Sequence, residues 1–173
     1  MEQRLQFWLA FAVAFVAMEV WSLVVHRWLW HGPLWWGHRS HHEHRDGFFE
    51  KNDSFALVHA AIAAPLIYFG LREGWTLATG VGFGMTAFGA CYAIVHDGLV
   101  HGRLPVGWLA AWPWLRKVRN AHRAHHARDD GAGDPHRAPY GLFLGPWELR
   151  REQARRQARS RAAAPDGGSI RAA

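Results

Sequence analysis

"HRSHH" at positions 38–42 and "HRAHH" at 122–126 both follow H-x-x-H-H. "HRWLWH" at 26–31 and "HDGLVH" at 96–101 both place a histidine on either side of four other residues. In chain order the pattern is H-x4-H, H-x2-HH, H-x4-H, H-x2-HH, an internal pseudo-repeat. Neutral imidazole is a ligand for Fe, Zn, Cu and Ni. A structural zinc takes about four ligands, so this many histidines divide naturally over two ions, with room for an exogenous ligand. The only cysteine, Cys91, excludes an internal disulfide and the usual thiolate zinc sites. There is no Glu-x-x-His pair of the ferritin-like kind. A histidine-rich storage tract would be low in complexity. Regular spacing over separate segments reads instead as a dinuclear metal site.

The spacing says how the ligands must be presented. Residues i, i+3 and i+4 share one helix face. His38, His41 and His42 can therefore point one way, and so can His122, His125 and His126. Positions i and i+5 lie about 140° apart on a regular helix. The helices carrying His26 with His31, and His96 with His101, must therefore end or bulge near the second histidine. "GP" after His31 and "GRLP" after His101 are helix-ending signals.

The elements behind these clusters are strongly apolar. Half of the 173 residues are hydrophobic, with 11 Trp and 10 Phe. Residues 5–25, 54–71 and 75–95 are apolar runs approaching the ~20 residues that cross a bilayer as a helix. The second contains Pro65, which a membrane helix tolerates. The first is read as a span rather than a cleaved leader, being too long and lacking a small-residue cleavage site. The alternative, a soluble protein with buried core helices, fits so many long apolar runs poorly. A fourth run, 104–115, is too short to cross unaided. Its two prolines and three tryptophans read as interfacial or re-entrant. The expected fold is an all-α integral membrane protein with three to four transmembrane helices and a histidine-rich helical cap, one domain over 1–161. Residues 162–173 read as a disordered tail.

Three spans place 26–53 and everything after 96 on one face. Of 20 Lys and Arg residues, only Arg4 and Arg72 fall on the other. The positive-inside rule puts the basic face in the cytoplasm. All four histidine motifs lie on that face. Among the other histidines, His44 reads as a solvated loop residue, His59 as a buried polar residue with a structural partner, and His136 as surface. Glu19, Ser22 and His26 form a polar stripe inside the first span, facing the bundle interior toward the metals. Gly80 and Gly84 form a small-xxx-small pair for close helix packing. Ligating histidines usually donate their second N–H to a carboxylate or carbonyl, which nominates Asp97 and Asp53. Asp46, Glu50, Asn52, Asp129 and Asp130 are further candidates for that role, each read first as a loop charge or cap. The basic stretch 148–161 could lie as an amphipathic helix on anionic lipid.

At "HRSHHEHRDGFFEKND", "VHDGLVHGR" and "AHRAHHA" the chain resembles the non-haem di-iron carotenoid hydroxylases. These are the β-carotene 3-hydroxylases of bacteria and plants, within the wider membrane fatty-acid hydroxylase superfamily. The resemblance runs from about 26 to about 149. The bare histidine pattern is shared with desaturases and ketolases, whereas "RDGFFEKND" and "HDGLVHGR" are narrower. It implies His26, His31, His38, His41, His42, His96, His101, His122, His125 and His126 as ligands to two Fe ions, with Zn possible in a purified sample. His44 and His59 are not in the family pattern. It implies an O2-dependent monooxygenase acting at the 3-position of β-ionone rings, taking β-carotene from the bilayer through β-cryptoxanthin to zeaxanthin. Ferredoxin and its reductase are the implied electron donors, in a bacterial cytoplasmic membrane; no nucleic acid is involved. The alternatives are a ketolase, a 2-hydroxylase, a fatty-acid or sterol hydroxylase, or a non-enzymatic metal protein.

Overall fold

The computed structural model describes residues 2–43, 47–127 and 138–163, and no strand occurs among them. Helix α1 (Glu2–Val25) continues without a break into a π-helical turn, His26–Trp30. Helix α2 (Trp35–His42) follows, then a 3-10 turn, Lys51–Asp53, that leads directly into α3 (Ser54–Glu73). Helix α4 (Thr76–Tyr92) runs on into a second π-helical segment, Ala93–Val100. Helices α5 (Pro113–His126) and α6 (Gly145–Ala163) complete the order.

Three of these rods are long and apolar enough to cross a membrane: Glu2–Trp30, Lys51–Glu73 and Thr76–Val100. Leu5, Trp8, Leu9, Val13 and Val16 on α1, and Leu57, Val58 and Leu71 on α3, face outward. In a bilayer such side chains meet lipid, while every backbone polar group is satisfied within its helix. Pro65 sits inside α3 without ending it. Gly74, at φ +70°, takes the left-handed position that closes α3 and turns the chain into α4.

Helix α4 packs between α1 and α3, and its glycines set the approach. A Cβ on Gly80 would meet the Phe7 carbonyl and Ala10, and one on Gly84 would meet the Phe11 carbonyl and Ala14. A Cβ on Gly82 would meet Ile67 and the Ala63 carbonyl. Two glycines four apart thus seat α1, and the one between them seats α3.

The 104–115 run does not span. It forms a 3-10 turn, Gly107–Ala111, with Trp108 and Trp112 largely exposed, and Pro113 then opens α5 from its first turn. A small core of Val95, Leu99, Val100, Val118 and Leu142 joins the end of α4 to α5 and the segment before α6. The basic stretch is helical, but beyond the first turns of α6 its side chains are exposed all round, without an apolar stripe. Helix α6 extends through Ala163, past the expected edge at 161. The rest of the expected tail lies outside the described residues.

Candidate metal centre

The two H-x4-H motifs explain the two π-helical segments. The His31 N–H bonds the His26 carbonyl at 3.0 Å, and the His101 N–H bonds the His96 carbonyl at 3.0 Å. A hydrogen bond from i+5 to i widens the turn by one residue, bringing the fifth residue back over the first. The expected bulge is therefore what lets each pair point the same way. The α-helical pitch of α2 and α5 brings the H-x2-HH motifs to the same cap, but each motif is shared out rather than aimed one way: His41 parts from His38 and His42, and His122 from His125.

Nine imidazoles converge as two groups. His26, His31, His38, His42 and His125 form one; His41, His96, His101 and His122 form the other. Within each group, one nitrogen per residue lies within 4.8 Å of all the others. His126 falls in neither group by that distance. Its ring stacks at 4.2 Å on His42 of the first and stands 4.7 Å from His101 of the second. His26, His31, His38, His41, His96, His122 and His125 are buried.

The outer hydrogen bonds fix the tautomers. His26 donates from Nδ1 to the Tyr140 carbonyl at 2.7 Å, and His38 donates from Nδ1 to Asn52 Oδ1 at 2.7 Å. His41 donates from Nδ1 to Glu50 at 3.0 Å, and His96 from Nδ1 to Asp97 at 2.7 Å. In a neutral imidazole the other nitrogen then carries only a lone pair. Yet Nε2 of His26 faces Nε2 of His38 at 3.1 Å, and Nε2 of His41 faces Nε2 of His96 at 3.1 Å. Lone pairs that close repel unless a cation lies between them. A proton is disfavoured there. Burial, then the neighbouring His42, lowers the His38 pKa to about 3. Burial, then His96, holds His41 and His122 well below the ordinary histidine range. Burial, then His42, does the same for His126. Two imidazoles bound at right angles to one metal, each at ~2.1 Å, have nitrogens about 3 Å apart. The donor set thus fits two metal ions.

The Asp97 carboxylate accepts from His96 Nδ1. Asp53 does not touch a histidine. Its carboxylate accepts the Glu50 N–H at 2.9 Å and takes Arg103 at 2.7 Å, so it caps the short turn that presents Glu50 and Asn52. Those two residues, candidates of lower rank than Asp53 in sequence, are the ones that bond His41 and His38. Arg103, 5% exposed, reaches Glu50 at 3.0 Å and stands 3.8 Å from Asp97. The Tyr140 carbonyl has no signal in sequence, because a backbone oxygen is not written in a residue type. Glu148 holds that peptide by accepting the Tyr140 and Gly141 N–H groups at 2.9 and 2.7 Å.

Glu19 and Ser22 are buried with His26, but Glu19 accepts the Leu144 N–H at 2.8 Å rather than facing the histidines. His59 is half-buried rather than buried, but it has structural partners: it donates to the Phe55 carbonyl at 2.8 Å and accepts from Trp21 at 3.0 Å. His44, Asp46, Asp129, Asp130 and His136 lie outside the described residues. A cavity of about 330 Å³ opens between α1, α3 and α4 and ends at His96, Asp97, Asn52 and Asp53.

Comparison with known proteins agrees with this geometry. The family model described as "Fatty acid hydroxylase" matches residues 11–149. The chain is 51% identical over 139 residues to "Beta-carotene 3-hydroxylase 2, chloroplastic" of Arabidopsis thaliana, covering 79% of this chain and 44% of that protein. It is 48% identical over 147 residues to "Beta-carotene hydroxylase 1, chloroplastic" of Capsicum annuum, covering 83% of this chain and 44% of that protein. It therefore spans less than half the length of these plant relatives. Against "Beta-carotene hydroxylase" of Paracoccus sp. (strain PC1) it is 40% identical over 142 residues, covering 82% of this chain and 85% of that protein. No solved structure matches. With three helices able to span a membrane and two converging histidine groups, the chain belongs to the fatty acid hydroxylase family.

Proposed function

We propose that this chain is a membrane monooxygenase that uses two iron ions and O2 to hydroxylate ring carbon 3 of β-carotene, giving β-cryptoxanthin and then zeaxanthin. The observation that carries the reading is the two facing Nε2 pairs, one of them ending in His96 at the inner end of a cavity between membrane helices. The beta-carotene hydroxylases it is similar to supply the substrate class. Bound iron would supply the oxidation, taking O2, two electrons and two protons to put one oxygen atom into an unactivated C–H bond and release the other as water. The chain's own part is geometry. The ten motif histidines hold the ions, with His126 completing the second set. Asn52, Glu50, Asp97 and the Tyr140 carbonyl keep Nδ1 protonated and Nε2 inward. The apolar cavity walls keep water from the reacting ring.

The basic excess supports a bacterial inner-membrane orientation with the histidine end in the cytoplasm. There the arginines of α6 suit an acidic electron carrier of the ferredoxin kind, served by its reductase. Zinc can replace iron during purification, since histidine sites bind Zn more tightly than Fe(II).

The test is pigment analysis in cells that make β-carotene. The parent chain is expected to yield β-cryptoxanthin and zeaxanthin, and the His125→Ala variant neither. A 4-keto product, recognised by its lengthened chromophore, would make the chain a ketolase. Unchanged β-carotene from iron-loaded parent would remove the carotenoid reading and turn the search to fatty acids and sterols.

A further inference from the structure

The cavity that reaches His96 shares a wall with a second hollow. The inner cavity, about 330 Å³, is a half-open hollow among α1, α3 and α4; the outer groove, about 560 Å³, runs along the lipid-facing seam between α1 and α3. Both are lined by Met18, Trp30, Phe55, His59 and Met85. The outer groove adds Val25, Leu29, Val58 and Ile62, side chains that prefer a hydrocarbon neighbour. The Trp21–His59 hydrogen bond ties α1 to α3 on this seam. The stacked rings of Trp30 and Phe55, 5.2 Å apart, fix its width near the histidine end.

One glycine of α4 differs from the others. Gly80, Gly82 and Gly84 are pressed against neighbouring helices, where any Cβ would collide. Gly89 is exposed and lines the inner cavity on its open side, where a Cβ would meet nothing within 4 Å. Helix packing does not require its missing side chain. What the missing side chain provides is room at the open side of the cavity that reaches His96.

The geometry points to a divided binding site: the inner cavity takes one cyclic end group of a long polyene, the outer groove takes the chain behind it, and Gly89 sets how deep the ring goes. The inner volume lies at the small end for ligand pockets, which run from about 300 to 1,000 Å³. It holds a ring and not a whole carotenoid. Its inner end is polar, with Asp53 and Asp97 each about 30% exposed. A newly formed ring hydroxyl has an acceptor there. This inference rests on the carotenoid reading above for the identity of the ring.

The experiment compares parent, Gly89→Phe and Ala90→Phe, each purified with metal bound. Ala90 is exposed on α4 and lines neither cavity. Two readouts are taken: hydroxylation of β-carotene, and the rise in melting midpoint caused by β-ionone, a ring without the polyene. Gly89→Phe is expected to keep its metal, lose at least tenfold in hydroxylation and lose the β-ionone shift, while Ala90→Phe matches the parent in both. If Gly89→Phe retains both turnover and the β-ionone shift, the ring does not lie beside Gly89 and the inference is wrong. Should Gly89→Phe lose its metal, Gly89→Val is read by the same two criteria. A parent that responds to β-ionone but leaves β-carotene unchanged would overturn the proposed reaction while leaving the ring site standing.

Discussion

Nε2 atoms that face each other across 3.1 Å, each with its own ring proton committed elsewhere, form a site that calls for a cation. The outer acceptors are therefore as important as the ligands they hold. Replacing such an acceptor usually lowers metal affinity or activity by about 10- to 100-fold. Asp97→Ala is expected to lose that much, read as iron per chain and as turnover, because it frees the His96 ring. Asp53→Ala should lose less on both counts, since it acts only through the turn and Arg103. The Arg103 guanidinium is buried against Glu50 and Asp53. Removing one partner of a buried charge cluster is destabilising by about 3–5 kcal/mol. Arg103→Ala should therefore lower the melting midpoint sharply. Arg103→Lys should recover only part of it, because an ammonium cannot reproduce the forked contact. Equal midpoints for Arg103→Ala and the parent would show that the cluster holds nothing together.

At the scale of elements, two devices position the ligands. One is the π-helical turn at the end of each of α1 and α4, which brings H-x4-H onto a single face. The other is the glycine seam that brings α1 and α4 close enough for His26 and His96 to belong to one cap. Gly84→Leu would push its side chain into the Phe11 carbonyl and Ala14. It is expected to part the two helices and lower both folded yield and metal content. The packing glycines and the cavity glycine thus predict opposite outcomes on the same helix: Gly84→Leu should lose metal, whereas Gly89→Phe should keep it. Size-exclusion profiles and metal analysis of the two variants distinguish these cases.

Across the whole molecule, metal held by the two histidine groups would also act as a fastener. Helices α2 and α5 and the two π-helical turns all contribute to it, while the hydrophobic core beneath the spans is small. Binding energy available only to the folded state adds to stability. Stripping the ions with a chelator is expected to lower the melting midpoint and expose amides of α2 and α5 to hydrogen exchange. The glycine-seamed pair α1 and α4 should stay protected over their apolar length. Returning Fe(II) should restore the cap. Uniform loss of protection along all helices would instead mean that the metals and the membrane bundle fold as one unit.

The residues that carry the chemistry were legible because ligation depends on residue type and spacing, and both are written in the chain. The four histidine motifs, three long apolar runs and the small-xxx-small pair Gly80 and Gly84 follow from spacing and apolar length alone, whereas the division of each H-x2-HH motif between two groups does not. The need for an irregular turn at H-x4-H follows too, since a regular helix cannot aim i and i+5 together. Tertiary structure decided what depends on approach between distant segments. It gave Glu50 and Asn52, rather than Asp53, to the histidine rings, because a capped 3-10 turn rotates those two side chains inward. It supplied the Tyr140 carbonyl, a group common to every residue and so invisible to a pattern of types. It turned Glu19 toward the backbone of Leu144. It also separated Gly89 from its three neighbours on α4, a distinction that exists only once the surrounding helices determine where there is space.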